Sequence, residues 1–255
     1  MFKRVFKNFS FIQIEPNFLV NEEYLKALER TLFLEKVKDW DNLERFFPLI
    51  FSHQKTYRKV KAIQIDSLQI YIKRYKANLK EAFQEWKNIL FLWSKGYPTS
   101  FPIFYIKDKK FALIGTKKIE GISFIDYLNS EKVNFFIEKI ATYLGNLHKE
   151  KIFHQDCYLN HFYLDEKEDI LYMIDVSRVL YNPLLKFYYQ IKDLSQLKFS
   201  FSFYFKDNWK ILWESFMIKY ENTIGYSLIN LHKFLLEFKF KKIKSHTQKL
   251  LKKVK

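Results

Sequence analysis

The sequence predicts an α+β protein of two lobes, on the basis of three observations. Alternating and β-branched runs dominate up to about residue 118, whereas beyond Gly121 apolar residues recur at helical spacing. At 255 residues the chain is long enough for one large core or two small lobes. Strands followed by helices are typical of the α+β class. We therefore expect a strand-rich lobe at 1–118 and a helical lobe at 119–255, with the functional site in the cleft between them.

In the amino half, the pattern predicts two strand pairs and one helix. Residues 57–65 and 68–76 alternate around a short turn, which indicates an antiparallel hairpin. Apolar residues in 79–93 recur at helical spacing until a glycine and a proline end the pattern. Residues 101–106 and 111–119 then predict a second strand pair, separated by a charged turn.

In the carboxyl half, the pattern predicts long helices at 133–147 and 209–220. Only short strands are expected between them, near 162–164 and 171–174. Most of the predicted second lobe is therefore helical.

The composition excludes a disordered chain and favours anionic partners. The chain is 48% hydrophobic and 20% aromatic, which is too apolar for disorder. Its 44 Lys and Arg against 28 Asp and Glu give a net charge of +16, and such a field attracts nucleic acid, anionic membrane surfaces or phosphorylated substrates. An AT-rich genome or a thermophilic origin is an alternative source of the lysine excess.

The single cysteine and the apolar pattern indicate a cytoplasmic protein. One cysteine excludes a disulfide framework and a four-cysteine zinc site. Lys7 and Asn8 interrupt the apolar amino end, so we expect no secretion signal. Because no run of about 18 apolar residues occurs, any membrane association is expected to be peripheral.

The stretch HQDCYLNHFYLD, which begins at His154, carries the predicted chemistry. A kinase-type site needs a strand lysine on the nucleotide phosphates, a helical glutamate beside it, an aspartate for the acceptor hydroxyl and a further aspartate on magnesium. Lys73 and Glu85, twelve positions apart, match the order of the lysine and the glutamate. Asp156 and Asp175, 19 positions apart, match the order of the two aspartates. Together they predict phosphoryl transfer, and a buried polar network is the alternative.

These motifs resemble those of a known family. HQDCYLNHFYLD, MIDVSR and IKDLSQLKFSFS, preceded by YIKRYK and EWKNILFLWSKGYPT, resemble the lipopolysaccharide core heptose kinases, in the Kdo and heptose kinase branch of the protein-kinase-like fold. The resemblance runs from about Lys55 to about Phe203. It implies a bilobal protein-kinase-like fold with an antiparallel-sheet N-lobe and a helical C-lobe. It also implies transfer of the γ-phosphate of ATP, with Mg²⁺, to a hydroxyl of the first inner-core heptose.

By position, the resemblance implies that Asp156 is the catalytic base and Asp175 the main magnesium ligand. Lys73 would hold the nucleotide phosphates, with Glu85 as its partner. His161 stands where kinases place an asparagine metal ligand, and this departure favours the heptose branch over the Kdo kinases. Since a neutral imidazole is a poorer magnesium ligand than oxygen, the adjacent Asn160 is the alternative ligand.

Several assignments leave alternatives open. His154 is expected to be a scaffold for the loop rather than a base. Asp193 resembles the helix carboxylate that ties down the catalytic loop in kinase folds, and a plain helix N-cap is its alternative. Arg178 could contact anionic substrate or form a structural pair with Asp193 or Glu85. Glu85 could instead be a solvated helix glutamate, with Glu81 as its competitor.

The chain departs from the kinase pattern at the phosphate-binding loop. No glycine precedes Gly96, so side-chain cations and hydroxyls of residues 52–58 would have to cover the phosphates. Lys55 and Arg58 are the candidates, with a basic surface hairpin as the alternative. Gln155 replaces the arginine that many protein kinases use to detect a phosphorylated activation loop, so we expect a constitutively competent small-molecule kinase.

The last 23 residues, from Lys233 to Lys255, contain nine lysines and one glutamate. Apolar residues among them predict a helix that lies on an anionic surface or against an acidic protein. The resemblance implies a lipopolysaccharide core glycolipid, with its heptose, Kdo and lipid A, at the cytoplasmic leaflet of the inner membrane. An acidic carrier protein is a further candidate partner, and a solvated helix is the alternative.

Three other functions remain open at this point. The first is a Kdo kinase of the same fold. The second is a pseudokinase, suggested by the missing glycine loop and by His161. The third is a basic nucleic-acid-binding module, suggested by charge and aromatic content, although the resemblance implies no nucleic-acid partner.

Overall fold

The computed structural model describes residues 2–6, 9–54, 58–76 and 78–254, with side chains described from Phe9 to Leu250 within those ranges. The chain divides into two compact units, Met1–Glu120 and Gly121–Lys255. Each unit is built around its own class of secondary structure.

The first unit contains an eight-stranded antiparallel sheet in the order β1-β2-β3-β7-β8-β6-β5-β4. The strands are β1 (Phe2–Phe6), β2 (Phe9–Glu15), β3 (Phe18–Asn21), β4 (Leu49–Gln54), β5 (Arg58–Ile65), β6 (Leu68–Tyr75), β7 (Phe101–Lys107) and β8 (Ala112–Lys117). The predicted hairpin is formed by β5 and β6, and the second predicted pair by β7 and β8. Gly115 on β8 leaves space for the Phe104 ring of β7, because a Cβ there would lie 2.1 Å from that ring.

Four helices accompany this sheet: α1 (Glu22–Arg30), α2 (Phe33–Lys36), α3 (Leu43–Phe46) and α4 (Leu79–Ser94). Helix α4 begins where Asn78 accepts a hydrogen bond from the Glu81 amide, and Trp86 on α4 stacks on Tyr105 with ring centroids 5.5 Å apart. The segment before β4 was not predicted to form any element. It supplies eight of the sixteen buried residues of one core cluster: Phe18, Val20, Leu28, Phe33, Val37, Trp40, Leu43 and Phe47.

The second unit is mainly helical. Its helices are α5 (Val133–Lys149), α6 (Lys186–Tyr204), α7 (Trp209–Ile224) and α8 (Asn230–Val254). Its strands are β9 (Ile122–Ser123), β10 (Ile152–Phe153), β11 (Phe162–Asp165), β12 (Ile170–Met173) and β13 (Leu180–Tyr181). The predicted helices at 133–147 and 209–220 correspond to α5 and α7, and the predicted strands near 162–164 and 171–174 to β11 and β12. The expectation that only short strands lie between α5 and α7 is wrong, because the 19-residue helix α6 also lies there. The basic carboxyl segment lies in α8.

The strands of the second unit form two small antiparallel sheets, β12-β11-β9 and β10-β13. Gly121 lies so close to β11 that a Cβ would approach the Leu164 carbonyl carbon to 2.8 Å, so the chain needs a glycine there. Within the described ranges, no helix combines the length and the apolar character that crossing a bilayer requires.

Candidate active site

Lys73 and the buried Glu85 form a partly buried ion pair in the first unit. Lys73 lies on β6, where it is paired with Val60 and Ile114 of the neighbouring strands, and its Nζ donates to Glu85 Oε1 of α4 over 2.5 Å. The other carboxylate oxygen of Glu85 accepts from the Tyr75 hydroxyl. Glu85 is only 2% exposed. Its carboxylate therefore fixes the direction of the lysine side chain, because two donors hold it in place.

The alternatives for Glu85 are wrong. A solvated helix glutamate is excluded by its burial. Glu81, the competitor one turn earlier, accepts from the Asn78 side chain at the exposed start of α4. Burial and the negative charge of Glu85 raise the pKa of Tyr75, so the Tyr75 hydroxyl remains a proton donor to the carboxylate.

Of the two candidates for covering the phosphates, Arg58 and Lys55, the structure describes only Arg58. Arg58 is the first residue of β5, directly opposite Tyr75 of β6, and its positive charge partly opposes the rise in the Tyr75 pKa. Lys55 lies outside the described residues. Arg58 therefore lies beside the Lys73 and Glu85 pair, on the neighbouring strand.

Two histidines fix the backbone around Asp156 in the second unit. His154 is fully buried; its Nε2–H donates to the Ile174 carbonyl over 3.0 Å, and its Nδ1 accepts from the Asp156 amide over 3.2 Å. His161 Nδ1–H donates to the Asp156 carbonyl over 2.8 Å, and the His161 carbonyl accepts from the Ile174 amide over 2.9 Å. Both ring nitrogens of His154 are occupied, which is the arrangement of a scaffold rather than a base.

These bonds also fix Asp175, since it directly follows Ile174. Asp175 adopts a left-handed backbone conformation with φ of 57°, so the chain departs there from the extended course of β12. Asp156 and Asp175 thus begin from backbone segments that the same two histidines hold together. The side chains of both aspartates are partly exposed, as chemistry with a ligand requires.

His161 is held in its neutral form. Burial and the nearby His154 lower the pKa of His161, whereas the carboxylates of Asp175 and Asp156 oppose this shift. With Nδ1 donating to a carbonyl, the unprotonated nitrogen is Nε2. Asn160, the alternative ligand, is exposed.

One face of α6 holds the loop that contains Asp156. Asp193 accepts from the His154 and Gln155 amides, each over 2.7 Å. Gln196, one turn later, accepts from the Cys157 amide over 3.0 Å and donates to the Gln155 carbonyl over 3.2 Å. Asp193 lies in the middle of α6, so the helix N-cap alternative is wrong.

Ser200 completes this face by accepting from the Leu159 amide over 3.3 Å. Asp193, Gln196 and Ser200 lie three, four and seven positions apart, a spacing that places them on one helix face. Gln196 and Ser200 were not among the predicted site residues. Their sequence spacing was the only available indication, since polar residues on a helix usually face water.

A series of buried side-chain hydrogen bonds also holds the Asp193 carboxylate. His148 of α5 donates from Nε2 to Asp193 over 3.3 Å, and its Nδ1 accepts from the Tyr220 hydroxyl over 2.6 Å. Tyr220 in turn accepts from the Gln190 side-chain amide over 2.8 Å. Burial raises the pKa of Tyr220, so its hydroxyl stays protonated. Sequence reasoning missed this series of hydrogen bonds, because its members lie on three different helices.

Arg178 is exposed on the turn that follows Asp175. Pairing with Asp193 is not observed: Asp193 is fully buried, and its oxygens accept from two loop amides and from His148. Burial lowers the pKa of Lys192, and the positive charge of Arg178 contributes to the same shift. Lys192 also donates to the Gln155 side chain over 3.0 Å, so two cations lie near the loop that contains Asp156.

The donor set fits magnesium as bound by nucleotide-dependent enzymes. Within the described ranges, no cluster of three or more His, Cys, Asp or Glu side chains forms a complete metal site. Mg²⁺ is usually held by one or two carboxylates together with substrate phosphates and water. Asp175 and Asp156 offer carboxylate oxygens of the kind this ion prefers, whereas the His161 imidazole is a weaker ligand for it.

The two units thus contain two complementary sets of groups. The first unit offers an oriented ammonium group suited to phosphate oxygens. The second offers two carboxylates on rigid backbone, one suited to orient a hydroxyl and one suited to hold a metal ion. Phosphoryl transfer requires this combination and little covalent chemistry from the protein.

Comparison with solved structures shows a kinase-like fold. The structure described as WaaP in complex with acyl carrier protein is similar with a TM-score of 0.56 and 20% identity, covering 76% of this chain and 87% of that chain. The crystal structure of aminoglycoside-3'-phosphotransferase of type VIII gives a TM-score of 0.61 at 12% identity, covering 84% and 99%. The predicted protein-kinase-like α+β fold is confirmed.

Comparison of sequences gives the family. None of the curated proteins matches the chain. The model of the lipopolysaccharide kinase (Kdo/WaaP) family matches residues 50–246, which is well over half of the chain and includes Lys73, Glu85, Asp156 and Asp175. The resemblance found in the sequence is therefore confirmed at the level of the family. The chain belongs to the lipopolysaccharide kinase (Kdo/WaaP) family.

Proposed function

We propose that this protein transfers the γ-phosphate of ATP to a hydroxyl of the first heptose of the lipopolysaccharide inner core. The observation that carries the proposal is the joint fixation of Asp156 and the Asp175 segment by His154 and His161. A catalytic carboxylate and a metal-binding carboxylate must keep a constant relation during transfer, and this network provides it. Family membership supports a kinase acting on lipopolysaccharide.

Each group has a proposed role. Asp156 orients the acceptor hydroxyl and accepts its proton, and Asp175 holds magnesium, which when bound neutralises charge on the phosphates. Lys73 binds phosphate oxygens, and Glu85 keeps its ammonium group in position. Arg58 adds positive charge beside this pair, and Lys55 is the second candidate for covering the phosphates.

Heptose is proposed as the acceptor because of the loop sequence. The DCY and HF motifs flank His161, which replaces the asparagine expected of a Kdo kinase. In the structure the His161 ring donates to the Asp156 carbonyl, so the replacement has a clear positioning role. Phosphorylation of Kdo is the nearest rival, since the same fold and the same family accommodate it.

The proposed place of action is the cytoplasmic face of the inner membrane, where the core glycolipid is assembled. Family membership and the lysine-rich helix α8 support peripheral association with an anionic surface. An acidic carrier protein is a second proposed partner, because WaaP, a structural neighbour, is described in complex with acyl carrier protein.

The test is phosphate mapping with matched variants. The protein is incubated with ATP, magnesium and unphosphorylated core glycolipid, and the new phosphate is located by mass spectrometry and NMR. Asp156→Asn and Asp175→Asn should lower turnover by at least about a thousandfold with the fold intact, since each removes a charge used in the transition state. Asp169→Asn is the control, because Asp169 is an exposed carboxylate that pairs with Lys139.

The outcomes separate the rivals. Phosphate on Kdo would refute heptose as the acceptor but would still support a lipopolysaccharide kinase. Absence of transfer by the wild-type protein, with unchanged glycolipid binding in both variants, would identify a pseudokinase. Salt-dependent oligonucleotide binding that is indifferent to Asp156→Asn would favour the nucleic-acid-binding module.

A further inference from the structure

Helix α8 has apolar residues on two opposite faces. Leu236, Phe240 and Ile243 point towards the protein, and Leu236 and Phe240 are buried. The opposite face is uncovered: it carries Leu231, Phe234, Leu235 and Phe238, at spacings of three, four and seven positions. Phe234 and Phe238 are 66% and 63% exposed. A helix packed on one side would not need the second stripe for folding.

The orientation of α8 is fixed, so this exposure is a property of the fold. Lys198, buried on α6, forms an ion pair with Glu237 of α8. The Lys198 ammonium also lies over the rings of Trp209, Trp213 and Phe240. These contacts anchor the inner face and leave the outer stripe directed to solvent.

The uncovered stripe continues onto the start of α6. Phe187 stacks on His232 of α8 with ring centroids 4.6 Å apart, and the loop before it exposes Leu185 and leaves Leu184 100% exposed. A groove of about 370 Å³ runs between the two helices, with the following lining residues: Phe187, Tyr188, Ile191, Leu235, Phe238, Lys239 and Lys242. We call this the α6–α8 apolar surface, formed by Leu184, Leu185, Phe187, Leu231, Phe234, Leu235 and Phe238.

The surroundings of this surface carry almost uncompensated positive charge. Residues 180–204 and 225–255 contain only two acidic residues, Asp193 and Glu237. Asp193 is fully buried beneath the catalytic loop, and Glu237 is paired with Lys198. Lys239 lies 3.6 Å from the Tyr188 ring centroid at the edge of the groove, and Lys242 lines the same edge. The partner of this surface must therefore be apolar and anionic at once.

We infer that the α6–α8 apolar surface docks on an anionic lipid bilayer, with Leu184, Phe234 and Phe238 entering the interfacial region and the flanking lysines contacting lipid phosphates. Exposed large apolar side chains that protrude beside lysines are typical of interfacial membrane anchors. A bilayer accepts such protruding side chains without a matching concave surface, and its phosphate groups complement the lysines beside them. The inference rests on the proposed function, because that function places the sugar acceptor in a membrane.

The test is vesicle flotation of the full chain, without nucleotide or glycolipid. Phosphatidylcholine vesicles are compared with vesicles that also contain phosphatidylglycerol, at low and high salt. We expect binding only to the anionic vesicles and weaker binding at high salt. Phe234→Ser with Phe238→Ser should lower partition by at least about tenfold. Lys239→Gln with Lys242→Gln should lower it about fivefold per lysine and flatten the salt dependence.

A matched control comes from α7. Ile211 and Ile218 are 70% and 65% exposed, and the pocket beside them is lined by Glu138 and Glu214 together with Lys219, so acidic side chains offset the positive charge there. Ile211→Ser with Ile218→Ser should leave vesicle binding unchanged. Equal losses in both double variants, or wild-type binding by the Phe234 and Phe238 variant, would overturn the inference.

Two further readouts separate this inference from others. Asp156→Asn should bind vesicles like the wild type, so failure of the kinase proposal would leave the docking result intact. If the Phe234 and Phe238 variant loses binding to an acidic acyl carrier protein but keeps its vesicle binding, the surface serves a protein partner and the bilayer assignment is wrong.

Discussion

At the scale of single residues, burial distinguishes side chains that look alike in the sequence. Glu81 and Glu85 lie one turn apart on α4, and both follow Lys73 at a plausible distance. Only Glu85 is buried, with Lys73 and the Tyr75 hydroxyl bonded to its carboxylate. A buried charge is stable only with such partners, so Glu85 and Lys73 depend on each other.

The first prediction compares these two glutamates. Glu85→Gln removes the counter-charge of Lys73 while keeping the shape, so we expect the free energy of unfolding to fall by about 3 kcal/mol. The kcat/KM for ATP should fall at least about tenfold, because the ammonium group loses its fixed direction. Glu81→Gln should change neither quantity appreciably. Thermal melting and steady-state kinetics measure both, and equal losses in the two variants would contradict the role given to Glu85.

The sequence could indicate some of the candidate site residues, but not the residues that hydrogen-bond to them and hold them in place. Lys73, Glu85, Asp156 and Asp175 follow a spacing that kinase chemistry requires, so the pattern alone pointed to them. The pattern could not show that His148 supports Asp193 across two helices. Such contacts depend on how the helices pack together, which a single sequence does not reveal.

At the scale of elements, α6 acts as the scaffold of the loop that contains Asp156. Its polar face bonds to backbone groups from His154 to Leu159, in the connection between β10 and β11. Gln155 adopts a left-handed conformation with φ of 70°, which a loop maintains only when its surroundings hold it. The shape of the loop is therefore set by the helix beneath it.

The second prediction uses the buried cysteine as a reporter of this scaffold. Burial raises the pKa of the Cys157 thiol, and the charges of Asp193 and Asp156 raise it further. The thiolate is the reactive form, so the folded protein should react with a thiol reagent at neutral pH only when the loop opens. Gln196→Ala leaves the Cys157 amide and the Gln155 carbonyl without their partner. We expect labelling to become at least about tenfold faster, since unsatisfied buried groups cost about 1–3 kcal/mol.

The control is Ser202→Ala on the same helix. The Ser202 hydroxyl donates to the Phe199 carbonyl within α6 and contacts no loop amide. Its substitution should leave the labelling rate unchanged. If Cys157 in the wild-type protein reacted as fast as in the unfolded chain, the loop would not be held as described.

Most elements with clear periodicity were predicted, and so were the short strands β11 and β12, but the 19-residue helix α6 and the elements before β5 were not. Residues 58–75 alternate or are β-branched, and residues 101–117 contain two short apolar runs on either side of a charged turn. Helices α4, α5 and α7 are long enough to show helical spacing. Helices α2 and α3 have four residues each, and β3 also has four. Such elements have no periodicity to read, and they are stable only through packing on the sheet.

At the scale of the whole molecule, the order of the large sheet depends on a contact distant in sequence. Phe18, Leu19 and Val20 of β3 pair with Ile106, Tyr105 and Phe104 of β7, more than eighty residues away. Local pattern cannot predict such pairing, because every edge strand is a possible neighbour. Through this contact the amino-terminal segment extends the sheet beyond the region that the family model matches.

This segment also supplies half of one core cluster, which leads to the last prediction. Removing residues 1–47 takes away three strands and ten buried apolar residues among those described, eight of them in this cluster. It also exposes their partners on the sheet, including Ile70 and Ile72. We expect the shortened chain to aggregate or to bind a hydrophobic dye strongly, because the loss far exceeds the usual net stability of a domain. Removing residues 245–255 is the control: those with described side chains are almost all exposed, so melting should change little. A soluble shortened chain that melts cooperatively near the wild-type temperature would show that residues 48–120 fold without the segment, contrary to the packing described.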